Sequence, residues 1–146
     1  MLNELEPYRA YYTGPDFDEA CVRDVMRAGV ATCKPEASLR DVARIMVSHQ
    51  IHCAILGYAH VGESPSGIVT DMDLAAAATT DMSKLSARDV ASQPVTVLAD
   101  EALARATQLM VDEGCTHLLV LQPLTGQPAG VLSALGIAAV IAVGRD

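Results

Sequence analysis

The chain repeats itself, and the repeat limits what it can fold into more than any other feature. The stretch Gly67-Ile68-Val69-Thr70-Asp71-Met72-Asp73-Leu74 returns as Gly130-Val131-Leu132-Ser133-Ala134-Leu135-Gly136-Ile137, at an offset of 63. Upstream, Leu39 matches Leu103, Met46-Val47 matches Met110-Val111 and Ile55 matches Leu119 at an offset of 64. Earlier still, Arg23-Asp24-Val25 matches Arg88-Asp89-Val90 at 65. Changes in loop length shift an offset by single residues, so the sequence holds two copies of one unit of roughly 60 residues, a tandem pair. The expected division is a leader over 1–20, a first unit over 21–80 and a second over 81–146.

The repeated octamer reads as a strand turning into a helix. Ile68 and Val69 are β-branched and suit a buried strand. Thr70 suits a helix N-cap, with Asp71 and Asp73 in the first turn. Free N–H groups at a helix start favour phosphate, and a carboxylate beside them can accept hydrogen bonds from both hydroxyls of a ribose. In the second copy Ser133 keeps the hydroxyl, but Gly136 stands where Asp73 stands in the first.

Around the octamers the pattern alternates. Leu39, Val42, Ala43, Met46 and Val47 form the apolar stripe of a helix packed on a sheet, with Ser38 as its N-cap. Ile51 to Leu56 reads as a buried strand, and Gly57 to Ser66 as a loop. Asp71 to Thr79 reads as an alanine-rich helix. In the second unit Ser86-Ala87-Arg88-Asp89 reads as a capped turn, Leu103, Ala106, Leu109 and Met110 as the inward stripe of a helix beginning near Asp100, and His117 to Leu121 with Gly130 to Ser133 as an antiparallel hairpin. Leu135 to Val143 is an apolar closing helix that needs cover, in the core or against a second subunit. The fold class is therefore α/β (α+β): two units, each a short sheet with packed helices.

Composition narrows the function. With 51% hydrophobic residues the chain is not disordered. A net charge of −8, one Phe, four Tyr and no Trp speak against nucleic-acid binding. No apolar run approaches the roughly 20 residues of a membrane span, and Glu4 and Glu6 in the first dozen residues do not suit a signal peptide. A cytoplasmic location is expected. Cys21, Cys33, Cys53 and Cys115 form no C-x-x-C pair, so buried thiols are the default.

The order short helix, strand, helix, strand, strand, helix, headed by V-R-D-V-M and closed by G-I-V-T-D-M-D, resembles the cystathionine β-synthase (CBS) domain. Two in tandem resemble a CBS pair, or Bateman module, over roughly Cys21 to Val143. The resemblance implies a regulatory, non-catalytic module that binds an adenosine-containing ligand between its units and assembles as a disc-shaped homodimer. The expected ligand is AMP, ADP or ATP, with S-adenosylmethionine or NAD also open, and the expected readout is a protein partner in trans. Carried over by residue, Thr70 and Asp73 hold phosphate and ribose, Thr32, Cys53 and Ala54 line the adenine pocket, and Ser133 marks the second cleft. Arg23, Arg27, Lys34 and Arg88 are the candidates for a phosphate grip.

The sequence departs from that family in two ways. Cys53 and His117 stand where the family commonly has a proline, and Gly136 removes the second ribose carboxylate, which implies one nucleotide per chain. A different constellation, His49, His52 and Cys53 with Cys115 and His117, contains the residue types that bind zinc. Adjacent strand positions face opposite ways, so His52 and Cys53 are not expected to share a metal, and no metal site is assigned. The alternatives to nucleotide sensing are a dimeric scaffold without a physiological ligand, and a metal or redox sensor built on that His/Cys cluster.

Overall fold

A computed structural model describes residues 12–57 and 65–144. The polar start of the leader and most of the Gly57–Ser66 loop lie outside the described residues. The elements run α1 (Val22–Val25), β1 (Arg27–Ala28), β2 (Thr32–Cys33), α2 (Leu39–His49), β3 (Cys53–Leu56), β4 (Gly67–Thr70) and α3 (Asp71–Ala77). After a 3-10 turn at Met82–Lys84 come α4 (Ala87–Val90), β5 (Thr96–Leu98), α5 (Leu103–Glu113), β6 (His117–Leu121), β7 (Pro128–Ser133) and α6 (Ala134–Val143).

Each unit folds as the repeat requires. In the first, β2 runs parallel to β3 and β3 antiparallel to β4. The second repeats this with β5, β6 and β7. Ser38 caps α2 by accepting a hydrogen bond from the Asp41 N–H at 3.1 Å, and Leu39, Val42 and Met46 bury one face of that helix. Both long helices end in a left-handed residue, Gln50 (φ 52°) and Gly114 (φ 66°). Gly114 adopts that conformation freely, whereas Gln50 carries a Cβ penalty.

The units also exchange parts. β1 leaves its own sheet and pairs antiparallel with β7, Arg27 opposite Val131. Reciprocally, Ser92 bridges Ile68 of β4 through two backbone hydrogen bonds of 2.9 and 3.0 Å. The short helices follow. Val22 of α1 is fully buried in the second unit's core with Leu103, Leu118 and Leu132, while Ala87 of α4 is buried in the first unit's core with Val42, Ala54 and Leu56. A third cluster, Cys53, Ile55, Ile68 and Leu119, joins the two sheets. Neither unit therefore has a complete core of its own, because each lends a helical turn and an extended segment to the other.

Candidate functional site

The exchange produces two clefts, each walled by both units. In one, the β4–α3 junction of the first unit (Thr70, Asp71, Asp73) faces Ser92, Gln93 and Val95 and the turn Gly114–His117 of the second. In the other, Ser133 and Leu135 at the β7–α6 junction face Arg27–Ala31 and His49–Cys53 of the first. Their volumes are about 610 and about 340 Å3, both in the range of small-molecule pockets. His52, His117, Ser133 and Leu135 line both, so the clefts adjoin.

At the larger cleft, Thr70 and Asp73 form a capping box. Asp73 Oδ2 accepts from the Thr70 N–H at 2.8 Å and from Thr70 Oγ1 at 3.0 Å, and Thr70 Oγ1 accepts from the Asp73 N–H at 3.3 Å. The box satisfies N-terminal donors of α3 and fixes the carboxylate, while Asp73 Oδ1 accepts nothing from the described residues. At the smaller cleft Ser133 repeats only half of this, accepting from the Gly136 N–H at 3.0 Å.

A polar pair stands in the wall between the clefts. His52 Nδ1 lies 2.7 Å from Asp71 Oδ2, and the His52 and His117 ring centroids are 5.9 Å apart. Partial burial lowers the His117 pKa from its ordinary value, with the charge of nearby His52 adding to this and Asp71 opposing it. On the far side of the smaller cleft, Arg27 donates to the carbonyls of His49 and Gln50, both at 2.9 Å. Those are carbonyls that the end of α2 leaves open, so Arg27 supports the left-handed turn at Gln50.

The sequence-based site residues fall in different places. Thr70 and Asp73 share the larger cleft, while Cys53 and Ser133 line the smaller one. Thr32 and Ala54 are not among the residues that line either cleft, while Cys53 stands directly opposite Thr70 across the β3–β4 ladder. Two physical facts account for these places. Alternation along β3 sends Ala54 into the helix-side core with Val42 and Met46, and Cys53 to the sheet interface. The crossing of β1 and Ser92 seats each junction against the other unit. Of the candidate phosphate grips, Arg27 lines a cleft and Arg88 pairs with Glu36 at 3.3 Å; Arg23 and Lys34 line neither cleft. Sequence reasoning missed Ser92, Gln93 and Thr116, and the repeat itself was the available signal, since they match Arg27, Ala28 and His52.

Burial pushes the Cys53 thiol up to about 11, with the Asp71 charge adding to it, and burial also raises Cys115. Both shifts oppose the thiolate needed for metal binding or nucleophilic attack. Among the described residues no group of three or more His, Cys, Asp or Glu could hold a metal ion, and no helix is long and apolar enough to cross a membrane.

The family model for the CBS domain matches the chain twice, over residues 22–79 and 87–142. The chain belongs to the CBS domain family. Solved CBS structures share its fold. A CBS domain pair of protein MJ0100, in complex with 5-methylthioadenosine and S-adenosylmethionine, is 18% identical, with a TM-score of 0.75 covering 84% of this chain and 96% of that one. A CBS domain protein from Pyrobaculum aerophilum, complexed with AMP, is 21% identical, with a TM-score of 0.73 covering 85% and 98%. A hexameric CBS-CP12 protein from bloom-forming cyanobacteria is 20% identical, with a TM-score of 0.72 covering 82% and 69%. No curated protein matches the chain. The tandem pair expected from the repeat, and the CBS family and mixed α+β architecture expected from the resemblance, are the observed ones.

Proposed function

We propose that this CBS pair is a regulatory module that binds an adenosine-containing ligand in the Asp73 cleft and signals its occupancy to a protein partner in trans. The observation that carries this reading is the fixed Asp73 carboxylate, held by Thr70 through Oδ2 with Oδ1 left to accept a ribose hydroxyl. Adenosine is the common part of the ligands bound by the CBS structures from MJ0100 and Pyrobaculum aerophilum. Two carboxylates, Asp71 and Asp73, line the cleft and no Arg or Lys does, which favours an adenosyl ligand of little negative charge over ADP or ATP. The apolar residues Leu135, Ile141 and Val143, each at least half exposed on α6, suit a homodimer contact.

Calorimetric titration of the ligand-stripped protein with S-adenosylmethionine and AMP tests the site. Wild type should bind one ligand per chain in the Asp73 cleft. Asp73→Ala should lose charge-assisted hydrogen bonds of about 1.5–3 kcal/mol, or roughly ten- to a hundredfold in affinity. Unchanged affinity in the variant, or no binding by wild type, would overturn the ribose assignment in favour of a dimeric scaffold. Sedimentation at micromolar concentration tests the dimer, and a 15.4 kDa species there would refute it.

A further inference from the structure

The smaller cleft has the opposite character. Arg27, His49, His52 and His117 converge on it, and no carboxylate is among the residues that line it. We propose that this cleft is a separate site for a phosphate-type polyanion that carries no ribose, such as a pyrophosphate group. The proposal does not depend on the adenosine reading.

Three features support it. The Arg27 guanidinium is held in place by two hydrogen bonds to the end of α2, which use two of its five N–H groups and leave donors in a fixed fork. Gly136 stands at the position matching Asp73, so the second junction carries no carboxylate there to oppose an anion. The cavity of about 340 Å3 has ample room for a pyrophosphate group.

The histidines make binding proton-linked. The charged and titratable groups near His117 are His52, from the segment before β3, Asp71 of α3, and the thiols Cys53 and Cys115, while Arg27 and His49 stand across the same cleft. Desolvation keeps His117 toward its neutral form. A polyanion close to the ring favours the imidazolium instead, so binding takes up a proton. The anion also competes with Asp71 for His52, whose Nδ1 lies 2.7 Å from the carboxylate.

The test is calorimetric titration of the full chain with inorganic pyrophosphate, repeated at several pH values and with adenosine present. One pyrophosphate should bind per chain. Its affinity should rise as pH falls, by at most about tenfold per pH unit for one linked proton, and saturating adenosine should not displace it. Arg27→Gln should weaken binding by roughly tenfold or more. Because Arg27 also supports the end of α2, His117→Gln serves as the second variant and should both weaken binding and flatten its pH dependence. No pyrophosphate binding at millimolar concentration, displacement by adenosine, or binding unaffected by either substitution would overturn the proposal. Pyrophosphate bound in a protein that ignores adenosine would uphold it and refute the adenosine reading alone.

Discussion

The cleft at Thr70 and the cleft at Ser133 are built on matching positions of the repeat, yet they differ in charge at nearly every place where charge occurs. Asp71 and Asp73 of the first correspond to Ala134 and Gly136 of the second, while Arg27 of the second corresponds to Ser92 of the first. The apolar positions did not diverge in this way. Leu39 and Leu103, Val42 and Ala106, Met46 and Met110, and Ile55 and Leu119 are buried in both units. Buried positions are constrained by close packing, whereas cleft-lining side chains keep contact with water and can change sign without disturbing the core. A duplicated fold can thus hold two sites of unlike chemistry.

The most severe way to break the comparison is to remove the wall that both clefts depend on. Leu119 is 1% exposed and packs with Cys53, Ile55 and Ile68 between the two sheets. Leu119→Ala should cost about 2–5 kcal/mol in urea unfolding and weaken adenosine and pyrophosphate binding together. Loss of only one ligand would show that the clefts are held by their own units.

A smaller effect compares the two helix caps. Thr70→Ala and Ser133→Ala each remove an N-cap, at about 0.5–2 kcal/mol. Thr70 also donates to Asp73, so its loss should be the costlier of the two by chemical denaturation. Equal costs would mean that the hydrogen bond from the Thr70 hydroxyl to Asp73 contributes nothing.

Gly136→Asp should sharpen the comparison by making the clefts more alike. A Cβ at this position would meet Val25 Cγ1 at 3.3 Å and Ser133 Oγ at 3.5 Å, so the Val25 side chain must give slightly. Replacing a helical glycine recovers up to about 1 kcal/mol, and the net change in stability should stay below that. The new carboxylate should create or strengthen adenosine binding beside Ser133 and weaken pyrophosphate binding there, both measurable by titration. Pyrophosphate affinity unchanged by the added charge would place the anion elsewhere.

The smallest expected effect is a slope. The folded pKa of His117 lies below its unfolded value, so the unfolded chain binds more protons and stability rises with pH. The contribution is complete above the ordinary histidine pKa, near 6.5, and is lost as pH falls from there through the lowered folded value. His117→Gln should flatten the urea midpoint between about pH 7.5 and 5, and an unaltered slope would assign the dependence to other groups.

Much of this architecture was legible in the sequence. The alternation of apolar residues gave α2, α5 and the strands, Ser38 marked a cap, and the offset between copies gave the tandem pair. The helix starts were less clear: α5 begins at Leu103 behind Ala102, not near Asp100. Strand β1 was not anticipated, because a two-residue pairing with β7 leaves no periodic pattern. The candidate site was half legible. Thr70 and Asp73 stand together because they are three residues apart on one helix start, a relation fixed by local geometry. Thr32 and Ala54 come to the adenine pocket only through the family resemblance, and neither is among the residues that line the two clefts.

The sequence by itself therefore determined whatever depends on neighbours along the chain: the elements, the caps, the repeat and the loss of a carboxylate at Gly136. Tertiary structure decided which walls face each other. Each unit's short helix and the segment after it cross to the other unit, because the apolar face of Val22 or Ala87 is buried only there. That crossing seats Thr70 against Gly114–His117 and brings Arg27 to Ser133. Residues far apart in sequence meet through packing energies summed over the whole core, and no local pattern records the partner.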